Sequence, residues 1–204
     1  MAKTESSPEE DKVIQPYITA LGALTVWWAS LENALVSVVE RLAEVNTLTA
    51  ECLLDGCDRA SGRANIVKML ALRPNPPSEE WQDCVVDLCN LIGNGWGSAR
   101  NRLIHDDWSF NEEKVFRSRV GKTIQKPNTL NARKTLVPKP PSTLTHWEIY
   151  DLTEKAMHAT LHLMFLSLSY KVWREKGTPV TVSRQAIWLS KDNQPTLFPQ
   201  GEDA

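Results

Sequence analysis

A chain of 204 residues, 42% hydrophobic and 24% charged, can bury one substantial core but is short for two full domains. That balance excludes wholesale disorder, and a net charge of −2 gives the chain as a whole no bias toward polyanions. The charge is uneven, however: Lys114, Arg117, Arg119, Lys122, Lys126, Arg133, Lys134 and Lys139 fall in one stretch without an acid, which leaves −10 elsewhere.

Residues 1–12 are polar and acidic and read as a frayed arm rather than a signal peptide. A first long helix is expected over residues 16–45. Ile14, Ile18, Leu21, Leu24, Trp28, Leu31, Leu35, Val38 and Leu42 recur in steps of three and four, making one apolar stripe that calls for a partner helix. A second helical region covers 49–72, with interruptions near Gly56 and Gly62, and Arg73-Pro74-Asn75-Pro76-Pro77 ends it. Ser78 then reads as an N-cap, with Glu79 and Glu80 favourably placed in the first turn, for a helix running through Trp81, Val85, Leu88, Leu91 and Ile92.

Gly93, Gly95 and Gly97 interrupt that helix, and each weakens a helix interior by about 1 kcal/mol relative to Ala. Either the helix persists and uses bare backbone for close approach to a neighbour, or it breaks and Ser98 caps a new short helix whose free N–H groups face a phosphate. Residues 108–142 change character. Val115-Phe116 and Thr135-Leu136-Val137 are strand candidates, so a basic β-hairpin or loop insertion is expected there. Its cations suit either a phosphate-facing surface or a solvated edge protected from pairing. Thr145 with Glu148 fits a capping box for a last long helix to about residue 176. Residues 177–204, with Trp188 and Phe198, are expected to pack as an extended tail.

Cys52/Cys57 and Cys84/Cys89 lie five apart, which is not zinc-knuckle spacing, so buried free thiols in a reducing cytoplasm are expected. The longest apolar run, 161–168, is interrupted by His162 and Ser167, and no membrane association is expected.

Arg100-Asn101-Arg102-Leu103-Ile104-His105 carries the chemistry. A guanidinium stays charged and grips phosphate bidentately, whereas an imidazole can move a proton near neutral pH. Together they can cleave RNA without a metal, with the 2′-hydroxyl as nucleophile. On a regular helix Arg100 and His105 are separated by about 140° and roughly 7.5 Å along the axis. One copy cannot readily aim both at one phosphate, whereas two antiparallel copies can, so a homodimer with a composite site is expected.

Arg100, Asn101 and His105 late in a bundle helix resemble the signature of the HEPN superfamily: Arg, commonly followed by a polar residue, then His after four to six residues. The resemblance covers about residues 16–107 and 145–175. It implies an all-α helical bundle, a single HEPN-like domain over 1–204, with 108–142 as a basic insertion. It further implies dimerisation that brings two motifs into one cleft, and metal-independent endoribonuclease activity without a cofactor, in a toxin or antiphage setting. The expected partners are RNA, a second copy of the chain and a cognate antitoxin. The alternative is a non-catalytic interaction or RNA-binding module in which the motif stabilises the dimer.

In the cleavage reading His105 moves the proton, Arg100 stabilises charge developing on the phosphoryl oxygens, and Asn101 orients His105 or hydrogen-bonds the phosphate. Asp106 or Asp107 would hold the imidazole tautomer. Arg102, Arg117, Arg119, Arg133 and Lys134 would contact the substrate. Glu154, His158 and His162, spaced by four, share a helix face and read as a polar stripe facing water or a partner rather than as a metal site. Glu32 is a candidate to reach Arg100 across the bundle.

Overall fold

The computed structural model describes residues 8–57, 59–110, 115–118, 142–143 and 145–177. They are mostly helical: α1 (Pro8–Ala43), α2 (Thr47–Asp55), α3 (Ala60–Ala71), α4 (Glu79–Leu91), a π-helical turn (Ile92–Trp96), α5 (Gly97–His105) and α6 (His146–Lys176). The all-α expectation holds. Three short strands, β1 (Asp107–Phe110), β2 (Val115–Ser118) and β3 (Ser142–Thr143), form an antiparallel sheet in that order.

The partner helix that the α1 stripe demands is α6. Leu24, Trp28, Leu31, Leu35, Val38 and Leu42 are buried on α1, and Ile149, Leu152, Ala156, Ala159, Leu163 and Leu166 on α6. Each such Leu or Ile, fully buried, favours folding by about 1.5–3 kcal/mol. The two helices run parallel. The Tyr17 and His146 rings meet at one end, Ser167 Oγ donates to Ser37 O in the middle, and Arg174 pairs with Glu44 at the other. α4 is pegged to α6 by Trp81, whose Nε1–H lies 3.1 Å from both Leu166 O and Ser169 Oγ; this satisfies the polar atom of a ring that is otherwise buried.

Helix ends follow local chemistry. Asn46 Oδ1 accepts from Thr49 N–H at 2.9 Å, and Ser78 Oγ from Trp81 N–H at 3.1 Å. The Thr145–Glu148 capping box starts α6, and Gly177 ends it at φ 64°, a left-handed conformation that favours glycine.

Four expectations need correction. α1 begins at Pro8 rather than near residue 16, so residues 8–12 are helical and not a frayed arm. Pro16 removes one N–H from the ladder, yet half-buried Val13, Ile14 and Tyr17 keep the helix packed on both sides of it. Gly62 does not interrupt the second region: α2 ends at Asp55 and α3 begins at Ala60, so Gly62 lies inside α3. Cys84 and Cys89 are buried as expected, and burial pushes the Cys89 thiol up to about 12, whereas Cys52 is exposed and Cys57 half-buried. Finally, α1 is long and apolar enough to cross a membrane by length and composition, a span the sequence reading did not foresee; here its apolar stripe is covered by the bundle.

β1 is a strand that residue patterning did not predict, and β2 contains the expected Val115-Phe116. The Thr135-Leu136-Val137 candidate and the tail beyond Gly177 lie outside the described residues.

Candidate functional site

The three glycines resolve in favour of a continuous helix. Gly97 N–H bonds Ile92 O, the i→i−5 pattern of a π turn, and every residue at the α4–α5 junction keeps right-handed helical angles. No free helix N-terminus is left for a phosphate at Ser98, which caps nothing, so the glycine run carries no nucleotide site. Bare backbone serves close packing instead: a Cβ on Gly97 would sit 3.0 Å from Ala60 Cβ, and one on Gly93 would sit 3.4 Å from Ser61 Cα.

The π turn matters because it inserts one residue into the helical rhythm. Trp81, Val85, Leu88 and Ile92 face inward on α4. Continued regularly, that face would pass through Ala99 and Arg102. With the extra residue it passes through Trp96, Arg100 and Leu103, all buried or half-buried, while Ala99 and Arg102 are exposed. Arg100 thus turns toward the bundle and His105 toward solvent.

Arg100 is held from two sides. Its guanidinium carbon lies 6.0 Å from the Trp28 ring centroid, and Nη1–H donates to Asn101 Oδ1 at 3.2 Å. Its Nε is buried and makes no hydrogen bond. Trp28 is itself oriented by donating Nε1–H to Glu32 Oε1 at 3.2 Å. Glu32 therefore does not reach Arg100; its carboxylate pairs with Arg63 at 3.4 Å, and Arg63 in turn lies 3.7 Å from Asp55. Among the described residues no carboxylate comes within ion-pair distance of Arg100, in contrast to Arg63, Arg102, Arg117 and Arg174. Among the described residues its charge therefore has no carboxylate against it, and such a guanidinium can take an anion.

Asn101 and His105 are exposed, and their spacing of four sets them on one helix face. Asn101 therefore touches Arg100 through its amide oxygen and shares an edge with His105. Asp106 does not serve His105. Its carboxylate, with only 7% of the side chain exposed, lies 3.5 Å from Arg117 Nε and 3.8 Å from Arg102 Nε. Two guanidinium groups thus pair electrostatically with the carboxylate that was expected to hold the imidazole. Arg117 is consequently turned inward with 11% of its side chain exposed, whereas Arg102 remains half-exposed. The side chain of Asp107, and residues Arg119, Arg133 and Lys134, lie outside what is described.

The second histidine group differs from expectation. His158 is buried at 3% exposure rather than facing water, with Nε2 4.0 Å from Glu154 Oε1, and the His162 ring lies 6.4 Å away. Burial pushes both imidazoles down, His162 to about 4 with help from its neighbour, while Glu154 partly opposes the shift at His158. No group of three or more His, Cys, Asp or Glu able to hold a metal occurs among the described residues.

Trp28 and the π turn were missed by sequence reasoning. The glycine triplet was the available signal for the turn; for Trp28 there was none, because a Trp within an apolar stripe looks like any other core residue. Comparison with known proteins returns no matching family model, no similar curated protein and no similar solved structure.

Proposed function

We propose that this protein is a cytoplasmic, HEPN-like, metal-independent endoribonuclease of a toxin or antiphage system, acting as a homodimer. The observation that carries this reading is the Arg100 guanidinium, which has no carboxylate partner among the described residues and is held between Trp28 and Asn101, on the helix that ends at exposed His105. His105 takes the proton from the ribose 2′-hydroxyl or returns one to the leaving 5′-oxygen. Arg100 stabilises the charge that builds on the phosphoryl oxygens, and Asn101 couples the two. Arg102 and the basic stretch that includes Arg119, Arg133 and Lys134 approach the flanking phosphates. A cognate antitoxin would hold the activity in check.

A feature of α6 supports the dimer. Leu161, Met164, Phe165 and Leu168, spaced i, i+3, i+4 and i+7, are each at least half exposed. A contiguous apolar stripe of that kind marks an interaction surface. Glu154 precedes it and Lys171 follows it on the same face, so two antiparallel copies bring opposite charges to each end.

The competing reading, a non-catalytic module, draws on the packing of half-buried Arg100 over the Trp28 ring, a contact that suits a structural cation. RNA cleavage that persists in EDTA and is lost in both Arg100→Ala and His105→Ala supports the nuclease. Unchanged cleavage in both variants, with dissociation of the dimer, supports the module. Phe165→Glu is expected to convert the dimer to monomer in sedimentation equilibrium and to abolish cleavage with it.

A further inference from the structure

α6 presents two unlike faces. Ala156, Ala159, Leu163 and Leu166 are buried in the bundle, whereas Leu161, Met164, Phe165 and Leu168 are exposed outside it. On the outer face Glu154, Met157, Leu161, Met164, Leu168 and Lys171 recur in alternating steps of three and four. That alternation is the spacing of a coiled-coil seam, and Ala159 and Leu166 fall on the opposite side of the helix from it.

The seam is its own complement. In an antiparallel pair of helices the first seam position of one heptad faces the second seam position of the other. A twofold axis between His162 and Leu163 sets Leu161 against the partner's Met164, Met157 against the partner's Leu168, and Glu154 against the partner's Lys171. The same layers repeat beyond the axis. A slip of one heptad in either direction sets Leu161 against the partner's Lys171 or Met164 against the partner's Glu154, which buries a charge against an apolar side chain.

Charge along α6 sets the direction. Before the apolar stretch, Glu148, Asp151 and Glu154 outweigh Lys155 and leave −2; after it, Lys171, Arg174 and Lys176 outweigh Glu175 and leave +2. Glu40, Arg41 and Glu44 of α1 adjoin the second end and lower it to +1, still opposite in sign to the first. Two copies side by side and parallel would bring like ends together; antiparallel copies bring unlike ends together. Shape agrees with this arrangement. A cavity of about 370 Å³ opens between α1 and α6 beside Phe165 and Leu168. The partner's Met157, unbranched and adaptable, arrives at its mouth.

We propose that the outer face of α6 docks a second copy of this chain as an antiparallel two-helix seam in this register, each end closed by Glu154 of one copy over Lys171 of the other. The proposal rests on the reading above for the homodimer, adds its direction and register, and uses no part of the RNA chemistry.

The test is a charge exchange on the full-length protein, followed by sedimentation equilibrium. Glu154→Lys and Lys171→Glu alone each place two like-charged pairs in the dimer and are expected to raise its Kd about tenfold. Both substitutions together restore opposite charges and are expected to return Kd to within about threefold of the wild type. Circular dichroism of all three variants should match the wild type. A chain that stays monomeric overturns the proposal and leaves the α6 face to a different partner. A dimer indifferent to both single changes overturns it, as does one that both weaken and the combination fails to restore. Cleavage by a dimer that ignores the exchange leaves the nuclease standing and the seam refuted; the expected pattern in a protein that cleaves no RNA does the reverse.

Discussion

Two sets of histidines in this molecule have opposite surroundings. His105 ends α5, exposed, on the face of Asn101, whose amide oxygen accepts from Arg100; among the described residues no carboxylate pairs with that guanidinium. His158 and His162 lie within α6, where burial favours their neutral forms and His158 Nε2 and His162 Nδ1 lack hydrogen bonds. The residue type is shared; access to water and to fixed charge is not. A proton-transfer group must be open to solvent, and of these three only His105 is exposed, so the proposed chemistry falls to it. The α6 pair answers instead to folding.

The largest effect expected from breaking this contrast is on cleavage. His105→Ala and Arg100→Ala should each lower the RNA cleavage rate by about 10²–10⁴-fold, with circular dichroism unchanged for His105→Ala. His158→Leu should leave the rate within a few-fold. A rate that falls with His158→Leu but not with His105→Ala would exchange the roles assigned to the two sets.

The contrast depends on the rotation at the π turn, which Gly97 permits. Gly97→Val puts a branched side chain where even a Cβ meets Ala60 Cβ at 3.0 Å and Ile92 O at 3.2 Å. Overpacking of this kind costs about 1–3 kcal/mol and should also turn Arg100 off Trp28. Chemical denaturation should show the lost stability, and cleavage should fall further than stability alone accounts for.

The buried pair should write its signature in the pH dependence of stability. Both imidazoles titrate lower in the folded chain than the roughly 6.5 of an unfolded histidine, His162 at about 4. Full stability is therefore present above pH 6.5 and is lost as pH falls from there toward 4, because the unfolded chain takes up the proton first. For the partly exposed His162 the loss between pH 6.5 and 5 is about 1–2 kcal/mol, in a window above most carboxylate titration. Urea midpoints across that window should fall in the wild type and stay flatter in the double variant His158→Leu, His162→Gln.

What the sequence disclosed follows from how local each determinant is. The stripe from Leu24 to Leu42, the Ser78 cap, the Thr145–Glu148 box and the end of the last helix near residue 176 are set by neighbours within a few residues, and all four stand where residue spacing put them. The π turn required knowing that Ala60 and Ser61 crowd Gly97 and Gly93 from another helix. Trp28 under Arg100 depends on the crossing of α1 and α5, and the capture of Asp106 by Arg117 depends on β2 returning beside β1. No spacing rule reaches those distances. The motif itself was legible; the side chains that orient it were not.

Asp106 allows the finest discrimination. A carboxylate one residue from His105 would, if bonded to the ring, steady its cationic form and move the pH dependence of cleavage. It is committed instead to Arg117 and Arg102, at 3.5 and 3.8 Å. Asp106→Asn should therefore cost about 1 kcal/mol of stability, from the weakened contacts with two guanidinium groups, one of them half-exposed. It should leave the pH profile of cleavage in place. If the profile moves while stability does not, Asp106 turns to His105 in the active protein, and the separation drawn between an α5 imidazole with no carboxylate among the described residues and an α6 imidazole that has Glu154 near it fails.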